Sequence, residues 1–307
     1  MPKMHLKRQP HAKGIFHNDR RTPRVSWSTF LRHPVASIKS YLGIGVVVPA
    51  RYFTGAFAVL LSIIVLCLPS AYAVEGPGPT ADVLGETDGK TVITVTGADT
   101  HHDSGKLLLV TVNASGVPGY PVTNAETLFA WLDPNHTVMP QEAVVPVGQS
   151  AEEYQRESEQ EMTSSQDAAA AAALAYAATL GVNADGVNVT MHVDDIGGPS
   201  AGMMYALGLI DKLTAANETG GATIAGTGTM DKSGKVGAIG GIRLKMIGAK
   251  RDGATWFLAP ESNCDEVVGH VPDGLRDVKV ATLDEAYQAL AAIGEGKGDT
   301  LAHCTVK

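Results

Sequence analysis

Polar and apolar positions along the chain divide it into a long apolar run and a series of short alternating or periodic segments. From Gly55 to Val74 no charge interrupts GAFAVLLSIIVLCLPSAYAV. Twenty such residues suffice for a helix across a bilayer core of roughly 30 Å. Beyond it, Lys90–Thr96 and Lys106–Val112 are β-branched runs bounded by Gly or Asn and predict strands. Pro77–Pro79 and Gly85–Gly89 read as turns. Thr123–Leu132 predicts a short helix, and Val138–Val147, with two prolines, an irregular extended link. The acidic stretch Ala151–Glu161 leads into a helix through Leu180, rich in alanine and stopped by Gly181. Asn188–Val193 alternates as a strand. Ser200–Leu213 repeats apolar residues at helical spacing through Met203, Met204, Leu207 and Ile210. Thr223–Gly226 with the turn Lys232–Gly234 predicts a hairpin. Helices over Ile242–Arg251, Cys264–Val268 and Leu283–Ala292, with strands at Trp256–Ala259 and Val278–Val280, complete an α/β pattern.

Charge changes how the apolar run is read. Residues 1–54 carry ten Lys/Arg against one acid, Asp19, whereas residues 75–307 carry fourteen against thirty-one. An acidic globular part argues against nucleic acid as a partner. The basic arm ahead of the apolar run fits the positive-inside bias. It predicts a cytoplasmic, disordered tail over 1–51, a transmembrane signal anchor over 52–74, and export of everything after it across the cell membrane. Two other readings stay open. One is a cleaved signal peptide, with an apolar core at Ala56–Leu68 and a cleavage site at Ala71-Tyr72-Ala73. The other is a buried helix of a soluble protein. The exported part is divided into a β-rich region with an acidic link (75–164), an α/β domain (165–298) and a tail (299–307).

Candidate chemistry gathers on two glycine-rich junctions. Gly198-Pro199-Ser200-Ala201-Gly202 lies between a strand and a helix, where free N–H groups and the helix dipole favour an oxyanion. A serine that merely caps the helix is the plain alternative. The pentapeptide also fits the G-x-S-x-G elbow of α/β-hydrolases. That reading needs a later acid and His, for which only Asp211, Asp231, Asp265, His270 and His303 are at hand. Gly240-Gly241-Ile242-Arg243-Leu244-Lys245 places Lys245 in the first turn of a helix, on its apolar face. A desolvated lysine loses basicity and as a neutral amine can take a proton from a serine.

Taken with Ala225-Gly226-Thr227-Gly228-Thr229, the strings Asp195-Ile196-Gly197-Gly198-Pro199-Ser200-Ala201-Gly202 and Gly234–Lys245 resemble the proteolytic domain of Lon protease. The resemblance runs from about Ser165 to Leu290, and the run Lys106–Val112 resembles an early strand of the same domain. It implies the Lon proteolytic fold, here preceded by one transmembrane helix. It also implies a serine endopeptidase in which Ser200 is the nucleophile, Lys245 its base and Thr227 the lysine's partner. Backbone N–H groups at Gly198 and Ser200 would form the oxyanion hole, with a protein or peptide as substrate. The family commonly forms hexamers, so a homo-oligomeric ring is a further expectation. Many of its members have an acid three residues before the serine, where Gly197 stands. No Walker A string is present, which leads to the expectation of cleavage without ATP, and neither a cofactor nor a metal-ligand cluster is expected. The chain resembles membrane-anchored Lon-like peptidases without their usual PDZ insertion, since only nineteen residues separate Leu180 from Ser200. A catalytically inactive Lon-like binding protein is the rival of a different class.

Three further features stand outside the motifs. His101-His102 reads as a solvated loop, and the acids between Glu152 and Glu161 as an exposed helix face. Cys264 and Cys304 are the only cysteines beyond the apolar run, and an oxidising location permits a disulfide between them; two free thiols are the alternative.

Overall fold

The computed structural model describes residues 49–87, 89–193 and 198–306. The expected tail over 1–51 and the motif residues Asp195–Gly197 lie almost wholly or wholly outside them. The chain divides into two units, Met1–Val65 and Leu66–Lys307.

The apolar run forms helix α1, Ala50–Cys67, whose large side chains from Tyr52 to Leu66 are exposed on every side. Among the described residues no helix is long and apolar enough to cross a membrane. Arg51 occupies the first turn, which leaves sixteen uncharged helical residues, about 24 Å at 1.5 Å per residue. The expected span over 52–74 is therefore shortened at its C-terminal end. Pro69 cannot continue the helix, and Tyr72–Asp82 forms strand β1. Ala73 and Val74 are buried in that strand, and the Tyr72-Ala73 part of the expected cleavage string pairs with β6.

The larger unit is built on a six-stranded sheet. After β1 come β2 (Glu86–Thr87), β3 (Lys90–Thr91), β4 (Ile93–Thr96), β5 (Lys106–Ser115), α2 (Asn124–Leu132) and β6 (Thr137–Pro140). Next follow α3 (Ala151–Thr179), β7 (Asn188–Met191), α4 (Gly202–Leu213), β8 (Thr223–Gly226), β9 (Thr229–Met230) and β10 (Val236–Gly237). The chain closes with α5 (Ile242–Arg251), β11 (Trp256–Pro260), α6 (Cys264–Val267), β12 (Arg276–Val280) and α7 (Leu283–Gly294). The sheet order is β12-β11-β8-β5-β1-β6. The first four strands run parallel, and β1 and β6 are added antiparallel. The α/β class expected from the sequence is present, as a mixed sheet consistent with the Lon proteolytic domain.

Why β5 reads as an unbroken Leu-Leu-Leu-Val run follows from this arrangement. Successive strand residues face opposite ways. Leu107 and Leu109 enter one core with α3, α4 and α7, while Leu108 and Val110 enter a second with α5, α6 and Phe257. Parallel strands covered on both faces lose their polar alternation.

Three local expectations are corrected. Pro77–Pro79 is not a turn: it sits within β1, where the register slips between Pro77 and Thr80, and such an irregularity tolerates a residue with no N–H. Part of the supposed link after Val138 is strand β6, paired with β1. Thr223–Gly226 is a central parallel strand; the hairpin is β9–β10, around the turn held by the Asp231 carboxylate, which accepts from Ser233 and Lys235 N–H.

The long acidic helix α3 opens with a capping box. Ser150 Oγ accepts from Glu153 N–H and the Glu153 carboxylate accepts from Ser150 N–H. Ser165, Ala169, Ala172 and Ala173 face inward on its second half.

Candidate active site

Ser200 occupies a single 3₁₀ turn, Pro199–Ala201, that leads directly into α4. The turn is entered through Gly198 at φ +82°, a backbone region open to glycine at little cost. Gly202 is required for a different reason. A Cβ there would lie 2.8 Å from Ser165 Oγ and 2.9 Å from Met230 N, so α3 and β9 close on the serine turn only because no side chain intervenes. Ser165 Oγ donates to Pro199 O at 2.9 Å, fixing the turn from the α3 side.

The other side is fixed by the end of β8. Gly228 N–H donates to Ser200 O at 2.9 Å, and Met203 N–H donates back to Gly228 O at 3.0 Å. Thr227, wholly buried, donates its hydroxyl to the same Ser200 carbonyl at 3.0 Å. Its oxygen is then oriented to accept from Lys245 Nζ at 3.1 Å. Lys245 Nζ lies 2.7 Å from Ser200 Oγ. Ser200, Thr227 and Lys245, from three separate elements, thus meet at one amine.

Lys245 is 2% exposed. Burial pulls its pKa down from 10.5 to about 8, against the opposing pull of the Glu75 carboxylate. Burial also raises the Glu75 carboxyl above its ordinary range, with Lys245 opposing. A lysine with its pKa near 8 is partly neutral around neutrality, and its lone pair can accept the proton of a hydroxyl at hydrogen-bond distance.

The remaining candidates fall elsewhere. Gly198 N–H, one of the two expected oxyanion donors, is directed at Ser158 O at 3.4 Å. Cys264 and Cys304 form a disulfide with Cα atoms 4.9 Å apart. His101 and His102 are exposed. His303 Nδ1 contacts Asp277 O and His270 Nδ1 contacts Glu266 O, so the two histidines that an α/β-hydrolase reading would call on are occupied at backbone carbonyls.

Sequence reasoning missed Ser165 and Glu75. Ser165 had a usable signal, since it shares the inward stripe of α3 with Ala169, Ala172 and Ala173. Glu75 had none, because it followed directly on the apolar run. Sequence reasoning also expected no ligand cluster, yet Asp103, Asp211 and Glu218 bring carboxylate oxygens within 4.8 Å of one another.

A family model described as Lon protease (S16) C-terminal proteolytic domain matches residues 122–293, 172 of the 307 positions. Among similar proteins, a mitochondrial Lon protease homolog from Eremothecium gossypii is 35% identical over 108 residues, 34% of this chain and 10% of its own length. A Lon protease from Clostridioides difficile is 39% identical over 102 residues, 32% of this chain and 13% of its own. One from Mycoplasma genitalium is 34% identical over 111 residues, covering 34% and 14%. The chain therefore spans only about a tenth of the length of such relatives. With more than half of its residues matched to the family, and with the serine turn, the threonine and the lysine of the matched region at one place, the chain belongs to the Lon protease (S16) proteolytic domain family.

Proposed function

We propose that the protein is a serine endopeptidase in which Ser200 and Lys245 form the catalytic dyad. The observation that carries this reading is the buried Lys245 amine, 2.7 Å from Ser200 Oγ and held by Thr227. Neutral Lys245 takes the hydroxyl proton as Ser200 Oγ attacks the peptide carbonyl carbon. The resulting ammonium returns that proton to the departing amine as the C–N bond breaks. Water then attacks the acyl carbon as Lys245 accepts its proton, and Lys245 returns that proton to Ser200 Oγ as the acyl–oxygen bond breaks. With Gly198 N–H given to Ser158 O, Ser200 N–H is the expected donor left for the developing oxyanion, and one such donor contributes about 10²–10³-fold.

The same reading extends to partners and place. Substrates are proteins or peptides, and chemistry at the dyad needs no nucleotide. Although α1 as described falls short of a full span, its exposed apolar surface and the basic arm ahead of it support a place at the cell membrane with the catalytic domain outside. The tests are direct. The purified full chain should cleave an unstructured protein such as casein, ATP should leave the rate unchanged, and Ser200→Ala should abolish cleavage. Activity that survives Ser200→Ala would remove the dyad, and an intact, folded chain with no turnover on any peptide would favour the inactive binding protein. In cells, the chain should resist alkaline carbonate extraction, and recovery in the soluble fraction would contradict α1 as an anchor.

A further inference from the structure

Far from the dyad, at the other end of α4, three acids from separate parts of the sequence converge. Asp211 is in the last turn of α4, Glu218 in the loop that leads to β8, and Asp103 in the loop that leads to β5. Asp211 and Glu218 are 2% and 3% exposed. Twelve helical residues put about 18 Å between this cluster and the serine end of α4.

The loops that carry these acids are packed too tightly to splay apart. Gly105 lies against the 219–222 loop so closely that a Cβ would be 2.3 Å from both Ala222 O and Thr219 Oγ1. Asp103 is locked in place by donors: Gly105 N–H at 3.0 Å, Thr219 N–H at 2.7 Å, and the Thr219 hydroxyl. Glu218 Oε1 accepts from the Thr214 hydroxyl and from Tyr287 Oη at 3.1 Å.

What the protein does not supply is a partner for the other oxygens. Asp211 Oδ2 and Glu218 Oε2 are buried without any hydrogen-bond partner. Among the described residues none of the three acids has an ion pair. The adjacent Lys212 gives its ammonium to Leu84 O at 3.0 Å. The negative end of the α4 dipole adds to the same field. Buried carboxylates in this state are costly unless they are paired or bind a cation.

We propose that Asp103, Asp211 and Glu218 bind a hard divalent cation of the Ca²⁺ or Mg²⁺ type. All-oxygen, mainly carboxylate donors suit those ions and not zinc or copper. The cation clasps the end of α4 to the two loops and acts on stability, not on the peptidase step. The competing occupant is a proton: burial beside Asp103 raises Asp211 to about 9.

The full chain, stripped with EDTA at pH 7.5 and passed into metal-free buffer, is titrated separately with CaCl₂ and MgCl₂ while its unfolding temperature is followed. The wild type should rise by roughly 5–10 °C at a hundredfold excess over Kd with the preferred ion. Asp211→Asn and Glu218→Gln keep the shape of the side chains; the first replaces a carboxyl that holds a proton when no metal is bound, and each removes a carboxylate ligand. Both should fold, with unchanged circular dichroism and no lower stability than the metal-free wild type, yet show no cation-dependent rise. No rise in the wild type with either ion would overturn the proposal in favour of the proton. An equal rise in all three proteins would overturn it too, by placing the cation elsewhere. Because the readout is unfolding, neither result depends on whether the dyad cleaves peptides.

Discussion

Lys245→Arg should lower kcat/KM for peptide cleavage by about 10²–10⁴-fold, the range associated with loss of a positioned general base. A guanidinium stays protonated at any working pH and cannot accept the serine proton. The wild-type rate should climb about tenfold per pH unit below pH 8 and level off above it, because burial holds the Lys245 pKa near 8. Glu75→Gln should shift this limb to lower pH, since the Glu75 carboxylate is the charge that favours the ammonium. Stability carries the same signature with a defined sign. The unfolded lysine, with a pKa near 10.5, binds more protons than the folded one between about pH 8 and 10.5. The penalty is thus fully present below pH 8 and is relieved as pH rises through that window. Lys245→Met removes a buried amine and should stabilise the fold by about 1–3 kcal/mol while abolishing turnover. A pH-independent rate, or near-normal turnover by the arginine variant, would show that Lys245 is not the base.

Cys304→Ala should cost about 2–4 kcal/mol, through the loop of 40 residues that the disulfide closes in the unfolded chain. Turnover below the unfolding transition should stay close to wild type, because the bridge joins α6 to the tail and neither sulfur touches the dyad. The tail has other ties, which set the size of the loss. Lys279 N–H donates to Ala302 O at 2.8 Å and Cys304 N–H to the Asp277 carboxylate at 2.7 Å. Urea denaturation with and without a reductant measures the difference. Equal midpoints would mean that those backbone ties alone hold the tail, and a loss of turnover without unfolding would tie the bridge to the site.

The sequence made the site legible because its residues sit where local rules are strict. Ser200 and Lys245 each follow glycines at the entry to a helix, which marked them as candidates, and the resemblance to the Lon proteolytic domain joined them and added Thr227. Helix α5 was found with its observed ends, and β5 was found from the run Lys106–Val112, three residues short of its observed end. The failures share a cause. Strand β1 was hidden because Ala73 and Val74 extended an apolar run and Pro77-Gly78-Pro79 has turn chemistry; only pairing with β5 and β6 overrides that preference. The pairing partner of Thr223–Gly226 could not be read locally, because parallel neighbours are supplied by Leu107 and Phe257, far away in the chain. The acid cluster was invisible for the same reason, with Asp103 more than a hundred residues from Asp211.

Strand β1 also decides how the larger unit bears load. Its eleven residues follow the apolar helix after a short connection and lie between two antiparallel neighbours, Tyr72–Glu75 against β6 and Val74–Asp82 against β5. A pull on the chain ahead of Tyr72, directed along the strand, loads both ladders in shear, so that their bonds must fail together and cannot unzip one by one. A pull that enters the larger unit at Tyr72 therefore meets two ladders loaded in shear, the arrangement in which a sheet resists force best.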